Sequence, residues 1–335
     1  MSAPSDPLSV LAEYPLDLGD AQVESLGSAG GFSGARFWRV VTPAGCYCLR
    51  QWPPGGPEPE RLAFVHAVLA HVSRAGICVA LPLPTRAGPR HVERAGHVWE
   101  LAPWMPGRAD FRRNATEARL EAAMRYLAAF HRAAATFRRA GASFGPSPAL
   151  AERLDSLRWW LAGGLASLAP RIQPRRFPEL QPHAERLVSL FPSAARASLP
   201  LVEACAGRHF ALQPCIRDVW HDHVFFIGDR VSGLIDFGSM AVDHVACDVA
   251  RLLGSLVQDD RKLWSVGLCA YRTVRPLTED EVSLVYAFDR SSVALSGLTW
   301  IDWIYRQRRA FDSVSAVLDR FETILARLER LATSL

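Results

Sequence analysis

The sequence predicts an α+β protein of two lobes, a small β-rich N-terminal lobe and a larger, mainly helical C-terminal lobe. At 335 residues the chain exceeds what one hydrophobic core usually absorbs, so two lobes are expected. As far as residue 102 the apolar residues recur at strand spacing between glycine-rich turns, and from residue 115 almost to the end they recur at helical spacing. The helical part is interrupted at residues 215–239, where two short apolar runs flank Gly228-Asp229 and read as a hairpin. The expected division is 1–102 for the N-terminal lobe and 103–335 for the C-terminal lobe.

Composition narrows the function classes. Apolar residues make up 49% and charged residues 21%, the balance of an ordinary globular protein. The formal net charge of +4 is spread without a dense Lys/Arg block, so no nucleic-acid partner is expected. The first twenty residues carry four acids and no basic segment, and no apolar run approaches the length of a membrane span, so neither a secretory signal nor a membrane partner is expected. The seven cysteines form no Cys-x-x-Cys pair; an odd count argues against a disulfide framework, and they read as small core residues in a reducing cytoplasm.

In chain order, the N-terminal lobe opens with a strand and a glycine-rich turn (Gly30, Gly31, Gly34). An alternating strand follows (Phe37 to Val41), then a Pro-Ala-Gly turn and a third strand (Cys46 to Gln51) carrying Arg50. Glycines between strands let the backbone approach a phosphate closely, although hairpins of this kind also occur where nothing binds. Leu62, Val65, Val68, Leu69 and Val72 then mark a helix whose interior holds no acid; Glu60 sits in its first turn, where the helix dipole favours it. Strands are expected at Cys78 to Leu83 and His97 to Leu101, leading into the extended segment Glu100 to Trp104. Residues 116–137 form a long helix ending near His131, and residues 143–204 form helices broken by prolines, with no assignable role.

The chemistry concentrates in the interrupting hairpin. Asp218 lies in a polar loop before the first run and Asp236 ends the second, so a tight turn brings the carboxylates to one end. Phosphoryl transfer needs such a pair: one carboxylate orients the attacking hydroxyl, and the other holds the metal that neutralises the phosphates. His221-Asp222-His223 reads as a polar turn, and no third residue at ligand spacing supports a zinc site.

The order of Asp218, the hairpin, Asp236-Phe237-Gly238 and a later Asp248-Val249-Ala250 resembles the aminoglycoside phosphotransferase and choline kinase family, of protein-kinase-like fold. That family's catalytic loop runs His-Gly-Asp, four residues, Asn; here Ile216-Arg217-Asp218 and His223 stand at those places. The resemblance implies that Asp218 is the catalytic base, with Arg217 ordering its loop, and that Asp236 and His223 hold the metal. Gly30, Gly31, Gly34 and Arg50 would face the nucleotide phosphates, with Arg50 replacing a Lys. The main chain at Glu100 and Ala102 would hold the base, Trp300 and Trp303 would wall an alcohol pocket unless they only pack in the core, and His131 would pack under the catalytic loop. Asp248 would cap a helix and accept hydrogen bonds from that loop. The implied cofactor is ATP or GTP with Mg²⁺ or Mn²⁺. Imidazole at residue 223 leaves three options: Asp222 turns in as an oxygen ligand, His223 binds a softer ion, or one metal is absent. With no Ala-Pro-Glu segment after Asp-Phe-Gly, a protein substrate is not expected. The function read from this is an ATP-dependent phosphotransferase acting on a hydroxyl of a small molecule, such as a cationic amino alcohol or amino sugar. The alternative, drawn from Arg50, His223 and the missing helix acid, is a nucleotide-binding pseudokinase with a regulatory or scaffold role.

Overall fold

The computed structural model describes residues 6–28, 34–137, 143–172, 177–309, 311 and 313–333; Gly30 and Gly31 lie outside this range. In chain order its elements are α1 (Pro7–Leu11), β1 (Gln22–Gly27), β2 (Arg36–Thr42), β3 (Gly45–Gln51), α2 (Pro59–Arg74), β4 (Val92–Arg94), β5 (His97–Pro103), α3 (Glu117–Ala135), β6 (Ser143–Gly145) and α4 (Pro148–Trp159). They continue with α5 (Leu165–Leu168), α6 (Gln181–Ala206), β7 (Phe210–Cys215), β8 (Val224–Ile227), β9 (Arg230–Leu234), β10 (Ala241–Asp243), α7 (Ala246–Val257), α8 (Arg261–Arg272), α9 (Glu279–Ile301) and α10 (Val314–Ala332).

These elements form two compact units, Met1–Asn114 with Asp222–Met240, and Ala115–His221 with Ala241–Leu335. The division differs from 1–102 and 103–335, because the β8–β9 hairpin belongs to the N-terminal unit. The cause is backbone pairing. Leu234 exchanges hydrogen bonds with the 78–80 segment, and Arg108 and Phe226 exchange both of theirs. At Gly107 and Gly233 the chains come so close that a Cβ would overlap the Phe226 carbonyl and the Met105 sulfur respectively; only glycine permits such contact.

The first unit is built on a five-stranded antiparallel sheet of order β1-β2-β3-β5-β4. The strand count is as expected, but the fourth strand is Val92–Arg94 rather than Cys78 to Leu83. Pro82 and Pro84 deprive that earlier segment of N–H donors, and it contributes the single bridge Val79–Leu234. Alternation along β2, β3 and β5 sends Val40, Leu49, Trp99 and Leu101 into one core, which α1 and its following turn cover with Val10, Leu11 and Tyr14. The short helix α1 had no periodicity to reveal it; Asp6 caps it and Pro7 starts it.

The second unit is mainly helical around a small sheet of order β10-β7-β6. Pro148 and Pro182 stand in the first turns of α4 and α6, where a missing N–H costs little. Helix α7 is apolar on nearly every face, and its Asp248 is fully buried. Of the seven cysteines, all free, Cys205, Cys215 and Cys247 are buried, whereas Cys78 and Cys269 are exposed, so only some are core residues. No helix among the described residues is long and apolar enough to cross a membrane.

Candidate active site

In the second unit, strand β7 delivers the chain into the loop that carries Asp218. Arg217 there adopts φ 66°, a left-handed conformation that residues other than glycine seldom adopt and that its surroundings must hold. Asp248 does the holding. Its two carboxylate oxygens accept from the main-chain N–H of Ile216 (2.7 Å) and of Arg217 (2.6 Å). The same carboxylate accepts from His131 Nε2 at 3.0 Å, while Tyr271 donates its hydroxyl proton to Nδ1 at 2.7 Å. Burial drives the His131 pKa down despite the Asp248 bond, so the ring is neutral. His131 thus sits beneath the loop, as expected. Asp248 accepts the loop's bonds, but it does not supply the side-chain cap of α7.

One turn further along α7, Arg251 donates to Asp218 Oδ1 from both Nε and Nη2, each at 2.9 Å. Spacing i, i+3 puts Asp248 and Arg251 on one face of the helix, so one helical turn holds both the loop backbone and its carboxylate. Sequence reasoning missed Arg251, although that spacing was its available signal. Arg251 also lies 5.9 Å from the Trp220 ring centre, and Arg320 lies 4.6 Å from it. Arg217 reaches Glu152 at 3.0 Å and lies 3.9 Å from Asp243. His131, Cys215 and Asp248 bring three potential ligand atoms within 4.8 Å, but the His131 nitrogens and Asp248 oxygens are already spent on the hydrogen bonds described, and the cluster is buried.

The first unit holds the Asp-Phe-Gly segment. Asp236, also left-handed at φ 59°, receives Arg50 Nη1 on Oδ1 at 3.2 Å and faces His223 Nε2 across 3.8 Å from Oδ2. Burial acts to raise its pKa, yet Arg50, His223 and the Gly238 N–H together hold the carboxyl below its ordinary value, so it is an anion ready for a cation. The nearby carboxylate oxygen and imidazole nitrogen are groups that can ligate a divalent ion, and a nitrogen suits a softer ion better than it suits Mg²⁺.

Arg50 stacks on Trp52, with the guanidinium carbon 3.5 Å from the ring centre. Trp52 Nε1 donates to Glu100 at 2.6 Å, and the second oxygen of Glu100 accepts from His66 Nε2 at 2.5 Å. Glu100 therefore has a buried side-chain role that was not anticipated. Its main chain and that of Ala102 pair with Arg50 and Cys48 of β3. The bonds Trp52 N–H to Val98 and Trp104 N–H to Cys46 show that the even-numbered residues of this strand face β3. The main-chain groups expected to meet the base at Glu100 and Ala102 are therefore turned into the sheet. Gly34 is described, at φ 78°.

In the second unit, Trp300 is buried against Trp303, Phe311 and Phe321, and Arg309 covers the Trp303 ring at 4.4 Å. A cavity of about 300 Å³ lies beside them, lined by Trp159, Trp160, Arg171, Thr299, Asp302 and Arg306 among others. Neither Trp300 nor Trp303 lines it. Its wall includes residues of a kinked segment, Trp160–Gly164, which breaks at Gly163 (φ 136°), and of a π-helical segment, Asp302–Arg306. Asp302 is clamped there by Arg306 and Gln307.

Residues 27–282 match the model of a family described as "Phosphotransferase enzyme family". A homoserine kinase of Methylorubrum populi is 26% identical over 284 residues, covering 83% of this chain and 80% of that protein. One from Granulibacter bethesdensis is 28% identical over 301 residues, covering 88% and 85%. Among solved structures, a microcompartment-associated aminopropanol kinase superposes with a TM-score of 0.62 at 14% identity, over 97% of this chain and 96% of that one. An aminoglycoside phosphotransferase from Alicyclobacillus acidocaldarius gives 0.58 at 17% identity, over 100% and 98%. At such identities the structures establish the fold, which is the kinase-like α+β architecture expected.

Proposed function

The chain belongs to the phosphotransferase enzyme family, and from that premise we propose how its residues carry out ATP-dependent transfer to a small-molecule hydroxyl and which hydroxyl that is. The observation that carries the scheme is Asp218, a half-exposed carboxylate that Arg251 holds in place, on a loop whose backbone Asp248 pins. A carboxylate fixed in this way can accept the proton of an attacking hydroxyl. Arg217 keeps the loop strained but ordered. Asp236 and His223 would hold the divalent ion, which neutralises phosphate charge when bound. Arg50, Gly30, Gly31 and Gly34 would meet the phosphates, Arg50 leaving Asp236 to do so. With Glu100, Ala102 and Trp104 committed to the ladder, the base-contacting main chain would be that of Pro103 and Met105. Mn²⁺ in place of Mg²⁺, and GTP in place of ATP, belong to the same proposal, as does a cytoplasmic setting.

The acceptor proposed is the primary hydroxyl of a small amino acid or amino alcohol, because the curated relatives are named homoserine kinases. The cavity beside Asp302 suits such a molecule in size. Arg171 would take a carboxylate, and the indoles of Trp159 and Trp160 would take an ammonium-bearing chain. The test is ATP-dependent phosphorylation of homoserine, aminopropanol and an aminoglycoside with Mg²⁺ and with Mn²⁺. Turnover of homoserine with an acceptor KM raised about tenfold by Arg171→Ala, at unchanged ATP KM, supports the reading. Turnover of the aminoglycoside alone would refute the acceptor class.

A further inference from the structure

In kinases the cation on the third strand is held by an acid on the neighbouring helix. Helix α2 has no such acid: its first-turn Glu60 is the only carboxylate within it. The polarity across this interface is instead reversed. The helix carries the donor, His66, and the strand beside β3 carries the acid, Glu100; the two meet at 2.5 Å with both side chains nearly buried. The other oxygen of Glu100 is occupied by the Trp52 indole N–H at 2.6 Å.

We propose that Trp52 is the positioning residue for Arg50, taking the place of the helix acid. Trp52 is fixed at three points, one on the indole and two on its main chain. Its indole N–H is bound by Glu100, its main chain continues the ladder through Val98, and its main-chain carbonyl accepts from His97 Nδ1 at 2.8 Å. Its far edge rests on Gly238, where an added Cβ would come within 2.7 Å of Cη2. On the ring so fixed, the Arg50 guanidinium lies 3.5 Å from the centroid, with Phe37 5.5 Å away on the same cation. A planar, weakly hydrated guanidinium gains from lying flat on an indole in a way that a compact, strongly hydrated ammonium does not. Because Trp52 also contacts Gly238 of the Asp-Phe-Gly segment, it sets the distance between Arg50 and Asp236.

The inference rests on the proposed reading that Arg50 meets the nucleotide phosphates, and the experiment separates the two. The full-length protein and its Arg50→Ala, Arg50→Lys, Trp52→Phe, Trp52→Leu and Arg50→Ala/Trp52→Leu variants are assayed for ATP KM and kcat, and each is checked for unchanged unfolding by urea. Trp52→Leu should raise the ATP KM about 3–30-fold, the range of a desolvated cation–π contact. Trp52→Phe, which keeps a ring face but loses the Glu100 bond, should fall between Trp52→Leu and the parent. Arg50→Lys should behave like Arg50→Ala to within about threefold, and Trp52→Leu should add nothing in the Arg50→Ala background, as a shared contact requires. A merely structural Trp52 would instead lower urea stability and act equally in both backgrounds, which would overturn the proposal. Full activity in Arg50→Lys would also overturn it while leaving Arg50 at the phosphates. An unchanged ATP KM in Arg50→Ala would remove the phosphate reading itself, and the inference with it.

Discussion

Replacing Asp248 by Asn tests the loop anchor most directly, because the change is isosteric and leaves no cavity. The carboxylate accepts from three N–H groups, those of Ile216, Arg217 and His131, in a position with no exposure to solvent. An amide has one acceptor oxygen and one NH₂. Whichever way it turns, a donor faces a donor: either the NH₂ meets the Arg217 N–H, or it meets those of Ile216 and His131. The loss comprises a charge-assisted bond of about 1.5–3 kcal/mol and a buried unsatisfied donor of about 1–3 kcal/mol, offset by the smaller desolvation cost of a neutral side chain. A net destabilisation of about 3 kcal/mol is expected. At about 2–4 °C per kcal/mol for a unit of this size, the midpoint should fall by about 6–12 °C. The loop at Arg217 is held in a left-handed conformation by these same bonds, so kcat should fall at least about tenfold while ATP affinity stays near the parent value. The measurements are urea and thermal unfolding followed by steady-state kinetics. A variant within about 0.5 kcal/mol of the parent and with undiminished kcat would refute the anchoring argument.

Other consequences are as concrete. Asp218→Asn should lower kcat by about a hundredfold or more, the usual size of a lost base contribution, with nucleotide affinity nearly unchanged; equal turnover would rule out Asp218 as the base. If His223 is a ligand, Mn²⁺ should outperform Mg²⁺, and His223→Asn should move the preference back toward Mg²⁺, so an unchanged preference in titrations of both ions would exclude it. The second unit should be acid-labile. Burial tends to raise the Glu281 pKa, but His244, the Thr278 N–H and Arg275 bring it to about 2 from 4.5, and His131 is lowered by burial. In both cases the unfolded chain binds more protons, so stability falls as pH falls. The His131 contribution declines below about pH 6.5, and that of Glu281, up to about 3 kcal/mol, is lost between about pH 4.5 and 2; urea midpoints across that range check it, and a Glu281→Gln variant with the same acid profile would contradict it. Gly233→Ala places a methyl on the Met105 sulfur and should cost about 1–3 kcal/mol, recovered in part by Met105→Ala, as denaturant unfolding of the single and double variants would show.

The sequence by itself determined what depends on local order and period. Strand alternation and helical spacing are local signals, and they foretold the β-rich first unit, the helical second unit and the hairpin between Asp218 and Asp236. The resemblance of the carboxylate spacing to that of a known family likewise singled out Asp218, Asp236 and Asp248 before any geometry was known. Tertiary structure decided the rest because the deciding contacts join residues far apart in the chain. Cys78 to Leu83 read as a strand, but Val92–Arg94 pairs with His97–Trp99 and takes that place in the sheet. The hairpin's allegiance to the first unit follows from the close approaches at Gly107 and Gly233, which no local pattern encodes. Glu100 read as a segment's main chain, yet its buried carboxylate joins His66 to Trp52 across 34 and 48 residues of sequence. A backbone period depends on neighbours along the chain and can be read there; the partner of a buried charge is whatever the fold brings within hydrogen-bond reach, and only the folded chain fixes that.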